Sequence, residues 1–330
     1  MIHTAMRDIY DRLKPHGFDA AFVRNCILPD WWEDKLAEVP ANRQYAEAVI
    51  SRQLGIEMSS LRDQSVPLKI RQSAHLKLKS RQGATQANLK VARLLGERIA
   101  KIAAATLDTP PDLHDLTAAS IRRRILASGA DWVGFDELLD FCWNIGVPVM
   151  RLCKLPEGNK KPDGMAVWAE ERPAIVIASG RKHPAWHIFV IAHELGHIVL
   201  GHLSKGEVSM DPKVELDSTE RHEAEANTFA VELLSGHPDL SFSPRTRTMN
   251  ARQLAASAIS IGKELRIDPG FLILSYSRSK GYYALAGAAL NALHPKTDVC
   301  RLYQSPYERL KISDTTEDNR HVFECLTEAA

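Results

Sequence analysis

The sequence predicts an α+β protein, mostly helical, with a small antiparallel sheet at its core and a separate helical domain at its N-terminus. Three observations carry that prediction. Several segments read as helices, among them YAEAVISRQL, where Ala46, Val49, Ile50 and Leu54 recur at three- and four-residue spacing. Three short runs rich in Val, Ile and Met, PVMRLC, GMAVWA and RPAIVIAS, follow one another between residues 148 and 179, punctuated by Pro and Gly. The next run, WHIFVIAHELGHIVLGH, has no breaker until Gly201 and is apolar on all sides, as a helix buried against a sheet must be.

In chain order, residues 1–68 read as a helical domain. ILPDWWEDKLAEVPA offers Asp30 as a helix N-cap, and YAEAVISRQLGIEMSSLRD follows with Ala46, Val49, Ile50 and Leu54 on one stripe, a break at Gly55-Ile56 and a resumption at Leu61. An apolar helix, a short turn carrying Gly and a second anchored helix describe a helix-turn-helix, and equally an ordinary helical hairpin. Residues 69–110 read as a basic helical connector. Residues 64–105 hold nine Lys/Arg and a single acid, Glu97, so the stretch 69–101 offers either a solvated charged face or contacts to nucleic-acid phosphates. Pro110-Pro111 marks the next boundary.

Residues 111–240 form the predicted core. ASIRRRILA and DELLDFCWNIG are helices, the second stopped at Gly146; the three strand runs make the antiparallel sheet; and the apolar helix packs on it. After a polar loop, STERHEAEANTFAVELLS gives another helix, ended near Gly236. Residues 206–239 carry nine acids against Lys213 and Arg221, the reverse of the connector. Residues 241–295 form a helical hairpin turning at Asp268-Pro269-Gly270, and residues 296–330 read as a tail without a clear pattern.

Composition excludes several classes. With 42 basic and 41 acidic residues, net charge calls for neither nucleic acid nor an anionic membrane. Five cysteines, an odd number with no CxxC pair, fit a reducing compartment better than a disulfide framework. MIHTAMRDIY lacks an apolar signal core and no window approaches the roughly 18 apolar residues of a membrane helix, so a cytoplasmic location is expected.

The chemistry lies in VIAHELGHIVLGH. On a helix, positions four apart share a face, so His193 and His197 direct two imidazoles at one ion, while Glu194, one residue round, is placed to take a proton from a water at the metal. A motif of three fixed residues also arises by chance, so a further ligand segment is required. His202 fails as that ligand: HExxHxxGxxH needs Gly at 200 and His at 203, where this chain has Leu200 and Leu203, and His202 reads instead as a residue at the helix C-terminus. RHEAEANTFAVELL offers Glu223 as a third ligand, with Asn227 four residues on to bond an imidazole from behind, unless the cluster is merely an acidic helical face. Glu225 should point away to solvent, and Ala226 and Ala230 let the two helices approach closely.

HELGHIVLGH followed by ERHEAEANTFAVELL resembles the ImmA/IrrE family of bacterial and phage metallopeptidases, over residues 148–235 and more loosely through ELRIDPGFLILSYSRSKG. The resemblance implies a zincin-like metallopeptidase core holding Zn2+, with Mn2+ fitting the same donors. It implies metal ligands at His193, His197 and Glu223, and Glu194 as the catalytic glutamate. Most members end the second helix with LLMP where this chain has LLSGHP, which alters the substrate rim. Relatives cut or inactivate transcriptional repressors, and many carry an N-terminal helix-turn-helix. The implied partner is therefore a helix-turn-helix repressor as protein substrate, and the implied role is derepression in a stress or phage response. The rival readings are a DNA-binding regulator or antitoxin whose zincin domain is a sensor or platform, and a zinc hydrolase acting on something other than protein. His183, His187 and His222 are the nearby candidates for stabilising an oxyanion.

Overall fold

Only two residues separate GMAVWA from RPAIVI, so these runs must return on each other. They form the antiparallel hairpin β3 (Gly164–Ala169) and β4 (Arg172–Ile177), with Glu170 at a positive φ in the turn. The structure, a computed structural model of the chain, describes residues 4–71, 75–78, 85–211, 220–240, 249–294 and 298–329. β2 (Val149–Arg151) pairs with β4, and two further strands, β1 (His75–Leu78) and β5 (Glu207–Asp211), complete a five-stranded sheet of order β1-β5-β3-β4-β2.

That sheet is mixed, not antiparallel as expected: β2 runs parallel to β4 and β1 parallel to β5, while β3 opposes both its neighbours. The cause is connection length. Residues 152–163 are enough chain to carry β2 past β4's place before the hairpin begins, so β2 lands beside β4 rather than β3. β1 also corrects the reading of residues 69–110 as wholly helical; His75-Leu76-Lys77-Leu78 alternates with period two and adds to the sheet edge.

Helices cover both faces. Before β1 come α1 (Thr4–Leu13), α2 (Ala20–Phe22), α3 (Pro40–Leu54) and α4 (Met58–Arg62); α5 (Thr85–Thr106), α6 (Ala118–Ala127) and α7 (Phe135–Asn144) follow it. α8 (Pro184–Val199) and α9 (Arg221–Ser235) flank β5, and α10 (Ala251–Leu265), α11 (Pro269–Lys280), α12 (Tyr283–Leu293), α13 (Val299–Leu302) and α14 (Glu317–Thr327) complete the chain. A Cβ on Gly164 would strike Val190 and Glu194 of α8, whereas Met165, next in β3, meets Gly96 of α5. Successive residues of a strand face opposite ways, so α8 and α5 lie on opposite faces of the sheet.

α5 is therefore more than a charged connector. Leu89, Ala92, Leu95, Ile99, Ala100 and Ala103 are buried, Arg93 and Glu97 are a buried i,i+4 ion pair, and Arg98 bonds Gln53 and Asn319. Lys101 is exposed, while the side chains of Lys77, Lys79 and Arg81 lie outside the described residues. In the N-terminal part, α3 ends at Gly55 in the left-handed region and α4 follows after a short turn, with Ala46, Val49, Ile50, Leu54 and Leu61 all buried. Asp30 caps nothing; the segment after it is a 3-10 helix, Asp34–Glu38, whose N-cap is Glu33. Asp34 is drawn inside instead, where it accepts from Tyr10 Oη at 2.6 Å.

The supposed tail is built into the core. Tyr303, Val322, Phe323 and Leu326 are fully buried or nearly so, and α14 joins the N-terminal helices through Asp318, which accepts from Tyr45 and pairs with Arg52. The apolar i, i+1, i+4 pattern of Val322, Phe323 and Leu326 is too short to announce a helix without the groove that receives it. The same return of the chain joins Cys26 to Cys325 as a disulfide across 299 positions, contrary to the expectation of unpaired thiols. Among the described residues no helix is long and apolar enough to cross a membrane.

Candidate metal centre

Two helices build the site. α8 starts with Pro184 in its first turn, where the missing N–H costs nothing, and stops before Gly201, whose φ of 71° admits the left-handed turn that ends it. α9 is held at its C-terminus by Arg122 of α6. This buried guanidinium donates to the carbonyls of Leu233 (3.3 Å), Leu234 (2.8 Å) and Arg266 (2.6 Å), satisfying oxygens that the helix end leaves open. Close approach of the two helices depends on Gly196, inside the HExxH stretch. A Cβ there would lie 3.3 Å from both Cα and O of Ala226 and 3.1 Å from the Phe229 ring. Ala226 is legible in the sequence as a small contact residue; its counterpart Gly196 is not, because only the crossing of the helices shows which residue it meets.

At this crossing His193, His197 and Glu223 come together, all buried. His197 Nε2 stands 3.0 Å from Glu223 Oε1, His193 Nε2 stands 3.5 Å from Glu223 Oε2, and the two Nε2 atoms are 3.2 Å apart. Donor atoms bound at about 2.0–2.1 Å to a tetrahedral ion stand about 3.3 Å from each other, so the three separations fit one dication. Two imidazoles and one carboxylate are also the donor chemistry that Zn2+ accepts with a fourth position open to water.

Contacts behind His197 fix its tautomer. Its Nδ1 lies 2.9 Å from Nδ1 of His202, whose Nε2 lies 3.0 Å from Glu225 Oε2; Arg221 Nε in turn donates to Glu225 Oε1 at 2.8 Å. If His197 Nε2 is to offer its lone pair to an ion, Nδ1 carries the proton and donates to His202, which then donates from Nε2 to the carboxylate. Glu225 is thus not directed away to solvent as its spacing from Glu223 suggested. It is half-buried against His202, because Gly201 turns the chain so that His202 folds back over the flank of α9. Hydrogen bonding to both His202 and Arg221, Arg221 first, holds its carboxyl below the usual carboxylate range.

Glu194 is buried one position round from His193, and Gly164 at the start of β3 abuts its side chain. The sequence marks GMAVWA as a strand and gives no sign that its glycine backs the glutamate. Asn227 is buried on α9 one turn beyond Glu223. Of the three histidines weighed for an oxyanion, His187 has both nitrogens engaged, Nδ1 with Tyr303 Oη at 2.9 Å and Nε2 with Arg181 O at 2.8 Å. Burial, reinforced by the Arg151 charge, pushes it down to about 4, so it is a neutral structural group. His183 is the N-cap residue of α8, and His222 is exposed and stacks on His202 with ring centroids 4.3 Å apart.

Residues 147–255 match the family model of the IrrE N-terminal-like domain. The segment is similar to an IrrE N-terminal-like domain. It contains strands β2 to β5, α8, α9 and the start of α10, hence every residue of the metal centre, whereas α5 and the N-terminal helices lie outside the match. No curated protein and no solved structure matches the chain. The domain is of the metallopeptidase type, and its His193, His197 and Glu223 form a site able to bind a metal ion.

Proposed function

We propose that the chain is a metal-dependent endopeptidase in which His193, His197 and Glu223 hold Zn2+, or Mn2+, and Glu194 is the catalytic base. The observation that carries this reading is the convergence of those three donors at 3.0–3.5 Å, with a buried carboxylate beside them. When bound, the ion supplies Lewis acidity that acidifies water and polarises a carbonyl. The chain supplies the remainder. Glu194 accepts a proton from the attacking water on a carboxylate oxygen and returns it to the leaving amine. Gly164 limits how far that carboxylate swings, and the His202–Glu225 pair keeps His197 in the tautomer that binds through Nε2.

The substrate proposed is a helix-turn-helix transcriptional repressor, whose cleavage brings about derepression under stress or phage attack; it rests on the resemblance of HELGHIVLGH and ERHEAEANTFAVELL to the ImmA/IrrE family. The test is to incubate the purified chain, loaded with zinc or manganese, with any helix-turn-helix repressor whose gene adjoins its own. Cleavage by the wild type and not by Glu194→Gln is the expected result. Equal cleavage by both would remove Glu194 as the base.

The α3–Gly55–α4 arrangement, outside the matched segment, favours a second reading in which the chain binds DNA as a regulator and the IrrE-like domain senses or scaffolds. Promoter binding by the intact Glu194→Gln chain, with no cleavage by the wild type, supports that reading; no binding at 50 mM salt, where phosphate contacts are strongest, ends it.

A further inference from the structure

We propose that Cys153 and Cys300 form a dithiol that peroxide oxidises to a disulfide, fastening the C-terminal segment to the IrrE-like domain beneath the helix that carries the metal ligands. Cys153 follows β2 and Cys300 lies in α13, 147 positions away, yet their Sγ atoms stand 2.9 Å apart. That is well inside an ordinary nonbonded contact of about 3.5–4.0 Å. Closing to the ~2.05 Å of a disulfide asks for a movement of about 0.9 Å. Both side chains are half-buried, so a small oxidant reaches them.

A second observation points to the same chemistry. Arg151, two residues before Cys153 and so on the same side of the extended chain, is buried, and its Nε and Nη1 have no hydrogen-bond partner among the described residues. A buried cation beside a thiol favours the thiolate, the form that attacks peroxide. Burial and the neighbouring Cys300 push the Cys153 thiol up, and the Arg151 guanidinium pulls against them. Oxidation at neutral pH should therefore be slow and should speed up in alkali.

The step balances. One thiolate attacks an oxygen of hydrogen peroxide, breaking the O–O bond to give a sulfenic acid and hydroxide. The other thiolate attacks that sulfur, forming the S–S bond and expelling a second hydroxide. Overall two thiols and one peroxide give one disulfide and two waters, the sulfurs losing the two electrons that the peroxide gains. The bond would sit next to α8. Tyr303, three residues after Cys300, holds His187 through its hydroxyl, and His187 precedes His193 on that helix by six residues.

Glu328 completes a group of three with Cys153 and Cys300 that could hold a metal ion, but it is exposed and the unpaired Arg151 charge opposes a second dication there. The experiment separates the two. The full chain, free cysteines reduced and metal content measured, is treated with hydrogen peroxide, then denatured, alkylated and mapped by mass spectrometry. The three free cysteines, Cys142, Cys153 and Cys300, should fall to one, with a Cys153–Cys300 cross-linked peptide. The melting temperature should rise by several degrees, dithiothreitol should reverse both changes, and the rate should be higher at pH 9 than at pH 7. Cys300→Ser should lose the cross-link and the shift together. Three thiols still free after peroxide, or a cross-link to Cys26 or Cys325 instead, would overturn the proposal. So would a second equivalent of zinc that Cys300→Ser releases. The thiol count on the wild type needs no variant to fold.

Discussion

Placing a methyl group on Gly164 tests the position of the proposed base without touching a metal ligand. In Gly164→Ala the new Cβ would fall 2.6 Å from Glu194 Oε1, 2.6 Å from Val190 Cγ1 and 3.1 Å from Glu194 Cγ, where ordinary contact begins at 3.4 Å. The carboxylate oxygen must then retreat by about 0.8 Å. Val190 is β-branched and stiff at χ1 in a helix, so α8 yields little on that side. Overpacking costs about 1–3 kcal/mol and replacing a strand glycine returns about 0.5–1 kcal/mol, leaving a net loss of about 0–2.5 kcal/mol and a folded protein. A misplacement near 1 Å at a reacting group costs about 100-fold in rate. Turnover of the proposed repressor substrate should fall about 30- to 100-fold while zinc content, measured by atomic absorption, stays at the wild-type value. Turnover within about threefold of wild type, or zinc lost in step with activity, would refute the assignment of Glu194 as a base held by β3.

Further outcomes follow from the same geometry. Glu223→Gln keeps the shape and removes the anionic donor, so zinc affinity in a chelator competition should drop by about 100-fold or more; an unchanged affinity would mean another group completes the site. His202→Ala deletes the acceptor behind His197 Nδ1 and should weaken zinc about 10- to 100-fold with Glu194 intact, whereas an effect on turnover alone would contradict a role in orienting the ligand. For His187 the folded value of about 4 lies below the unfolded value of about 6.5, so the unfolded chain takes up the proton first. Its contribution is then complete above about pH 6.5 and is lost as pH falls towards 4, by about 3 kcal/mol in all. Urea unfolding of metal-free wild type and His187→Gln at pH 7 and pH 4.5 should show the smaller pH loss in the variant; equal losses would show that His187 is not the group responsible.

What the residues alone determined is local. Positions four apart on a helix share a face whatever surrounds them, so His193 and His197, and the offset of Glu194, are readable from spacing, as are the stop at Gly201 and the end of α9 at Gly236; the turn read at Asp268-Pro269-Gly270 instead falls at the start of α11, α10 having ended at Leu265. Glu223 is readable as a helical carboxylate, and the family resemblance implies that it turns towards the histidines. Tertiary structure decided which distant surfaces meet. It set the order and mixed direction of the sheet, the burial of α5 despite its charges, and the Gly196–Ala226 approach that gives the site its dimensions. It also brought His202 behind His197, Gly164 behind Glu194, and the last thirty residues back onto the first. None of these has a periodic signature, because each depends on the free energy of burying two surfaces against each other, and that quantity exists only once the chain has brought them together.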